Sequence, residues 1–111
     1  MKCVIECMCP LRNKTNTITL KDGKIFLDDG RYERLILNNE DEVEGFYEKL
    51  YKIVFSWKQE YIGERVYDGE KYLIEFDINH KRKKYKIQNK FPSNWEEFLS
   101  VREEILAFDE E

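Results

Sequence analysis

Asp22-Gly23 stands between two short runs, 17–21 and 24–28, in which apolar and polar side chains alternate. A two-residue type I′ turn needs positive φ at both central positions, and Asp-Gly satisfies that need. The turn sets Leu20 opposite Ile25 and Ile18 opposite Leu27, so four apolar side chains share one side of a hairpin. Whatever else the chain does must cover that side. Upstream, residues 2–9 read as a strand ended by Pro10, with Cys3, Ile5, Cys7 and Cys9 on one face and Val4, Glu6 and Met8 on the other. A polar loop over 12–16 separates the two.

Downstream, Asp28-Asp29-Gly30 signals a second turn into a strand over 32–38. A two-residue loop places Tyr32 and Ile36 on the side of Ile25 and Leu27, whereas a three-residue loop with a glycine bulge places Leu35 and Leu37 there. Leu35-Ile36-Leu37 is apolar on both sides, which predicts a central strand covered on both faces. Asn39 is a helix cap, followed by acids in the first turn, and Val43, Phe46, Tyr47, Leu50, Val54 and Trp57 repeat at helical spacing. This predicts a helix over about 40–58.

The second half repeats the grammar. Asp68-Gly69 joins a short run, 64–67, to 71–78, where Tyr72, Ile74, Phe76 and Ile78 share a face; a turn at Asn79-His80-Lys81-Arg82 leads to 83–89, with Tyr85 and Ile87 inward. Ser93 and Glu96 have the spacing of a capping box. The helix that follows spans about 94–107, with Arg102 snorkelling from its apolar stripe and an acidic tail fraying beyond. At 111 residues the chain has room for one domain, 1–111. The expected class is α+β: an antiparallel sheet of six or seven strands with two helices packed on one face. A β-β-β-α duplication behind the N-terminal strand fits the order of elements, although the spacing between matching features drifts.

Aromatic residues make up 14% of the chain, enough to build a core despite 38% charge. No apolar run approaches the 18 or so residues of a transmembrane helix. Glu6 interrupts the N-terminal apolar stretch and no small-residue cleavage site follows, so a secretory leader is not expected. The odd count of three cysteines adds to the expectation of a reducing, cytoplasmic setting. A single alanine among abundant Lys, Glu, Ile, Asn and Tyr suggests an AT-rich bacterial or phage genome.

Cys3, Cys7 and Cys9 with His80 provide the ligand types of a Cys3His metal site. Buried cysteines packed as small hydrophobes explain the same period-two pattern and are the weightier reading, so no metal or other cofactor is expected. His80 is the only imidazole, it lies in a turn beside several cations, and no nucleophile or phosphate-loop motif accompanies it. No catalytic residues are assigned, and an enzyme is not expected. Glu75 and Asp77 are expected to oppose Lys84 and Lys86 across a hairpin.

The candidate functional surface is the basic run His80, Lys81, Arg82, Lys83, Lys84 and Lys86, with Lys90 beyond it. Two uses compete with a solvated hairpin end: contact with another protein, and a nucleic-acid grip. The near balance of 19 basic and 23 acidic residues argues against a general polyanion binder. The expected function is therefore a small protein-binding module without catalysis, an inhibitor such as a toxin-immunity protein or a phage-encoded antagonist of host defence. A nucleic-acid-binding module using the Lys-rich hairpin 80–90 is the alternative. A homodimer is a further expectation if Phe26, Leu73 and one side of 35–37 lie on an uncovered sheet face.

Overall fold

The computed structural model describes residues 1–9, 14–64 and 69–110. Seven strands form one sheet: β1 (Lys2–Cys9), β2 (Lys14–Lys21), β3 (Lys24–Asp28), β4 (Glu33–Asn38), β5 (Glu60–Ile62), β6 (Lys71–Ile78) and β7 (Lys81–Gln88). Their order is β4-β3-β2-β1-β6-β7-β5. The ladders are antiparallel except β5 with β7, which is parallel. Two helices, α1 (Glu40–Val54) and α2 (Trp95–Leu106), complete an α+β architecture, and a 3-10 turn over Ala107–Glu110 follows α2. No described helix is long and apolar enough to cross a membrane.

The Asp-Gly hairpin forms as its local chemistry dictates. Asp22 and Gly23 have φ of 53° and 73°, and Leu20 and Ile18 pair with Ile25 and Leu27. A second tight turn is less obvious from sequence. Asn79 and His80 take φ of 49° and 66°, so Ile78 pairs directly with Lys81 and β7 starts two residues earlier than the four-residue turn allows. Strand β2 likewise starts early, at Lys14, because its ladder with β1 continues to Cys9.

Strand β4 corrects the expectation of a central position. It is the outermost strand, with Leu35 48% exposed. A bulge resolves its register: Leu37 pairs with Ile25 and Leu35 with Phe26, leaving Ile36 as the extra residue. Each proposed loop accounted for only part of this. The triplet is apolar on both sides because Ile36 and Leu37 pack against the core, while Leu35 points away from it.

Asn39 caps α1 through a bond from the Glu42 N–H to its side-chain oxygen at 3.1 Å. The helix stops at Val54, short of 58, yet a backbone bond from Trp57 to the Val54 carbonyl continues the turn and keeps Trp57 buried. At α2 the capping box does not form. Asn94 occupies the cap position with no side-chain cap bond. Its carboxamide instead accepts from Trp57 Nε1 at 2.6 Å and donates to the Ile53 carbonyl at 3.0 Å.

The described part of the second half does not repeat the β2-β3-β4 meander, because β5 pairs with β7 rather than β6. The strand predicted just before Asp68-Gly69 lies outside the described residues, Glu64 aside. Gly63 passes so close to β7 that a Cβ there would collide with the Asn89 carbonyl.

Tyr47 and Tyr51 of α1 meet Phe76 of β6 edge to face, while Trp95 of α2 meets Tyr72 of the same strand at 4.8 Å. Trp57 touches Tyr85, Trp95 and Phe98. Cys3, Ile5 and Cys7 join this core. The acidic tail does not fray at its start. Asp109 receives a bidentate pair from Arg34 of β4 at 2.7 Å each, and Phe108 packs on Phe46.

Candidate protein-interaction surface

Strand alternation divides the basic run. Tyr85 and Ile87 are buried, so Lys81 and Lys83 project to their side, whereas Arg82, Lys84 and Lys86 project to the other. On that other side the cations meet β6. Arg82 pairs with Asp77, Lys84 with Glu75 and Lys86 with Leu73, which shifts the expected partnership of Asp77 from Lys86 to Arg82. The Arg82 Nε lies 3.4 Å from Glu75 and 4.0 Å from Asp77. His80 is exposed at the turn and Lys90 is exposed beyond β7. The run is thus two surfaces and not one basic strip.

Lys81 and Lys83 make no ion pair among the described residues. They line a shallow cleft of about 310 Å³ with Tyr51, Phe76, Ile78 and Asn79. Tyr51 stacks on Phe55, with ring centroids 6.5 Å apart, and Phe55 is 61% exposed. Phe55 caps the C-terminal end of α1, where the outgoing carbonyls carry partial negative charge that favours nearby cations. Sequence reasoning passed over Phe55 because it falls off the apolar stripe. That displacement is itself the available signal, since a large aromatic off the stripe has no core position to occupy.

The reverse side of the sheet holds a broader depression of about 500 Å³, lined in part by Val4, Glu6, Leu73, Glu75, Lys84 and Lys86. Carboxylates and ammonium groups alternate there.

The described members of the alternative Cys3His set are not brought together. Cys3 and Cys7 lie in the core, paired across the ladder with Phe76 and Tyr72, while His80 is at an exposed turn. The Cys9 side chain falls outside what is described. Burial raises the Cys3 thiol well above its ordinary value, which suppresses its thiolate. Burial likewise pushes the Tyr47 hydroxyl up to about 12 and raises Tyr85.

Arg102 departs from the expected snorkel. It is 8% exposed, donates to Asn16 Oδ1 at 2.9 Å and stands 6.0 Å from the Tyr72 ring centroid. A buried guanidinium on the apolar stripe of a helix is a structural strut between α2 and β2.

No protein-family model, no curated protein and no solved structure matches this chain.

Proposed function

We propose that the protein is a non-enzymatic binding module that engages another protein and acts as an inhibitor, of the kind represented by toxin-immunity proteins and phage-encoded antagonists of host defence. The observation that carries this reading is the exposed Phe55 stacked on half-buried Tyr51, whose side chain lines the cleft of Lys81 and Lys83. Aromatic anchors surrounded by polar groups are the composition of interface hot spots. The matching partner surface presents an apolar pocket for Phe55 with carboxylates at its rim. In this reading both helices cover the same sheet side, since Phe76 and Tyr72 occupy one face of β6 and receive α1 and α2 in turn. The rigid sheet then holds the hairpin against the end of α1. A cytoplasmic setting suits the buried thiol of Cys3.

A second reading has its own support. An exposed aromatic stacked on a tyrosine that shares a cleft with two lysines is also a composition that stacks and grips single-stranded nucleic acid.

The test compares tagged wild-type protein with the triple variant F55A/K81E/K83E, whose substituted positions are exposed. Nuclease-treated lysates of candidate bacterial hosts are passed over each. A specific protein retained by wild type and lost by a variant of unchanged melting temperature is the expected result. Equal retention by both proteins overturns the reading. Retention of labelled oligonucleotides that falls steeply with salt transfers support to nucleic acid.

A further inference from the structure

Beyond that surface, the sheet side opposite the aromatic core arranges its residues in ordered rows. Lys24, Lys21 and Lys2 are direct cross-strand neighbours on β3, β2 and β1. Two residues along each strand lies the row Phe26, Thr19 and Val4, and two further lies Asp28, Thr17 and Glu6. Leu35 of the edge strand extends the middle row outward through its pairing with Phe26. A basic row, a largely apolar row and an acidic-polar row thus run side by side across β3, β2 and β1, and continue on β6 as Asp77, Glu75 and Leu73.

The lysine row is costly for an isolated molecule. Neighbouring strands are roughly 4.8 Å apart, and like charges directly opposite destabilise a sheet. None of the three lysines makes an ion pair among the described residues. Along each strand the acids stand four residues away, about 13 Å. Across the strands Asp77 of β6 lies opposite Lys2 but also opposite Arg82, which leaves Lys21 and Lys24 with no acid beside them on β2 or β3.

A second copy removes this conflict in one orientation. Consider a two-fold axis lying in the contact plane along the middle row. It places Phe26 and Val4 on their own copies, Lys24 against Asp28 of the partner subunit, and Lys2 against Glu6 of the partner subunit. An axis parallel to the strands would instead set lysines on lysines. The pattern therefore selects both the occupant and its direction. We propose that this side of β1, β2 and β3 is the interface of a homodimer in which the two sheets stack face to face with their basic and acidic rows exchanged. Such a contact is isologous, as a two-fold dimer requires. The middle row continues on β6 and β7 as Glu75 and Lys84, which an unrotated stack would set on their own copies. The contact is therefore centred on β2 and β3, and a packing angle of about 30° between the sheets separates those charges at the far end. Phe55, Lys81 and Lys83 face the other way and stay free, so dimerisation does not depend on the reading of that surface.

Sedimentation of the full chain at several protein and salt concentrations tests the proposal. Wild type is expected to move from the 13.6 kDa chain mass toward twice that value as concentration rises, and back as salt rises. Phe26→Asp, at the axis, is expected to stay monomeric with an unchanged circular dichroism spectrum. Lys2→Glu with Lys24→Glu leaves Lys21 as the one cation of the outer rows on β1, β2 and β3, and Glu6→Lys with Asp28→Lys leaves those rows without an acid. Each double variant alone is expected to be monomeric, and their mixture to form a one-to-one heterodimer. A wild type that stays monomeric at millimolar concentration overturns the proposal. So does a dimer indifferent to Phe26→Asp, or a mixture of the double variants that fails to associate.

Discussion

Single side chains fasten the helices and the tail to the sheet. The Asn94 carboxamide bridges Trp57 Nε1 and the Ile53 carbonyl, so it joins the start of α2 to the end of α1. Removing it leaves a half-buried indole N–H and a carbonyl without partners. Asn94→Ala is therefore expected to lower unfolding free energy by about 2 kcal/mol in urea denaturation, and Ser93→Ala by less than about 0.5 kcal/mol. The opposite ranking would restore the capping box. Arg34 fixes the tail through Asp109, and the hydrogen bonds from its guanidinium hold the Asp109 carboxyl below the usual carboxylate range. A depressed folded value stabilises above the unfolded value of about 3.9 and is lost as pH falls through the folded one. The melting-temperature deficit of Asp109→Asn relative to wild type is thus expected at pH 7 and expected to vanish in stronger acid. A deficit that persists unchanged in acid would contradict the ion pair.

The elements differ in how far local sequence reveals them. The Asp22-Gly23 hairpin and the Asn39-capped helix are legible because every determinant lies within a few residues. Sheet order is not, because it depends on contacts such as Cys3 with Phe76 that join distant segments. That is why Leu35-Ile36-Leu37 reads as a central strand and stands at the edge. A bulge sends neighbouring side chains to the core, and no ladder partner is described beyond it. Leu35→Lys in dilute protein is accordingly expected to change stability by no more than about 0.5 kcal/mol in chemical denaturation, the usual range for surface positions. A loss of several kcal/mol would place Leu35 in a covered strand. The basic run is legible as composition, yet its division between two sheet sides follows from Tyr85 and Ile87 being buried. Phe55 escapes because apolar stripes direct attention to what is buried.

At the scale of the whole molecule, a net charge of −4 conceals ordered surfaces. Alternation in β1, β2 and β3 lines up Lys2 with the distant Lys21 and Lys24, and alternation in β7 separates cations that are adjacent. We assign the two resulting surfaces different occupants: a second copy on the Phe26 row, and another protein at Phe55 with Lys81 and Lys83. Hydroxyl-radical footprinting in dilute and concentrated solution examines both surfaces together. Phe26 and Leu35 are expected to be labelled in dilute protein and protected in concentrated protein. Phe55 is expected to be labelled in both and buried Phe98 in neither. Protection of Phe26 in dilute protein would mean that the chain itself covers that side, and equal labelling of Phe26 at every concentration would contradict the stacked dimer.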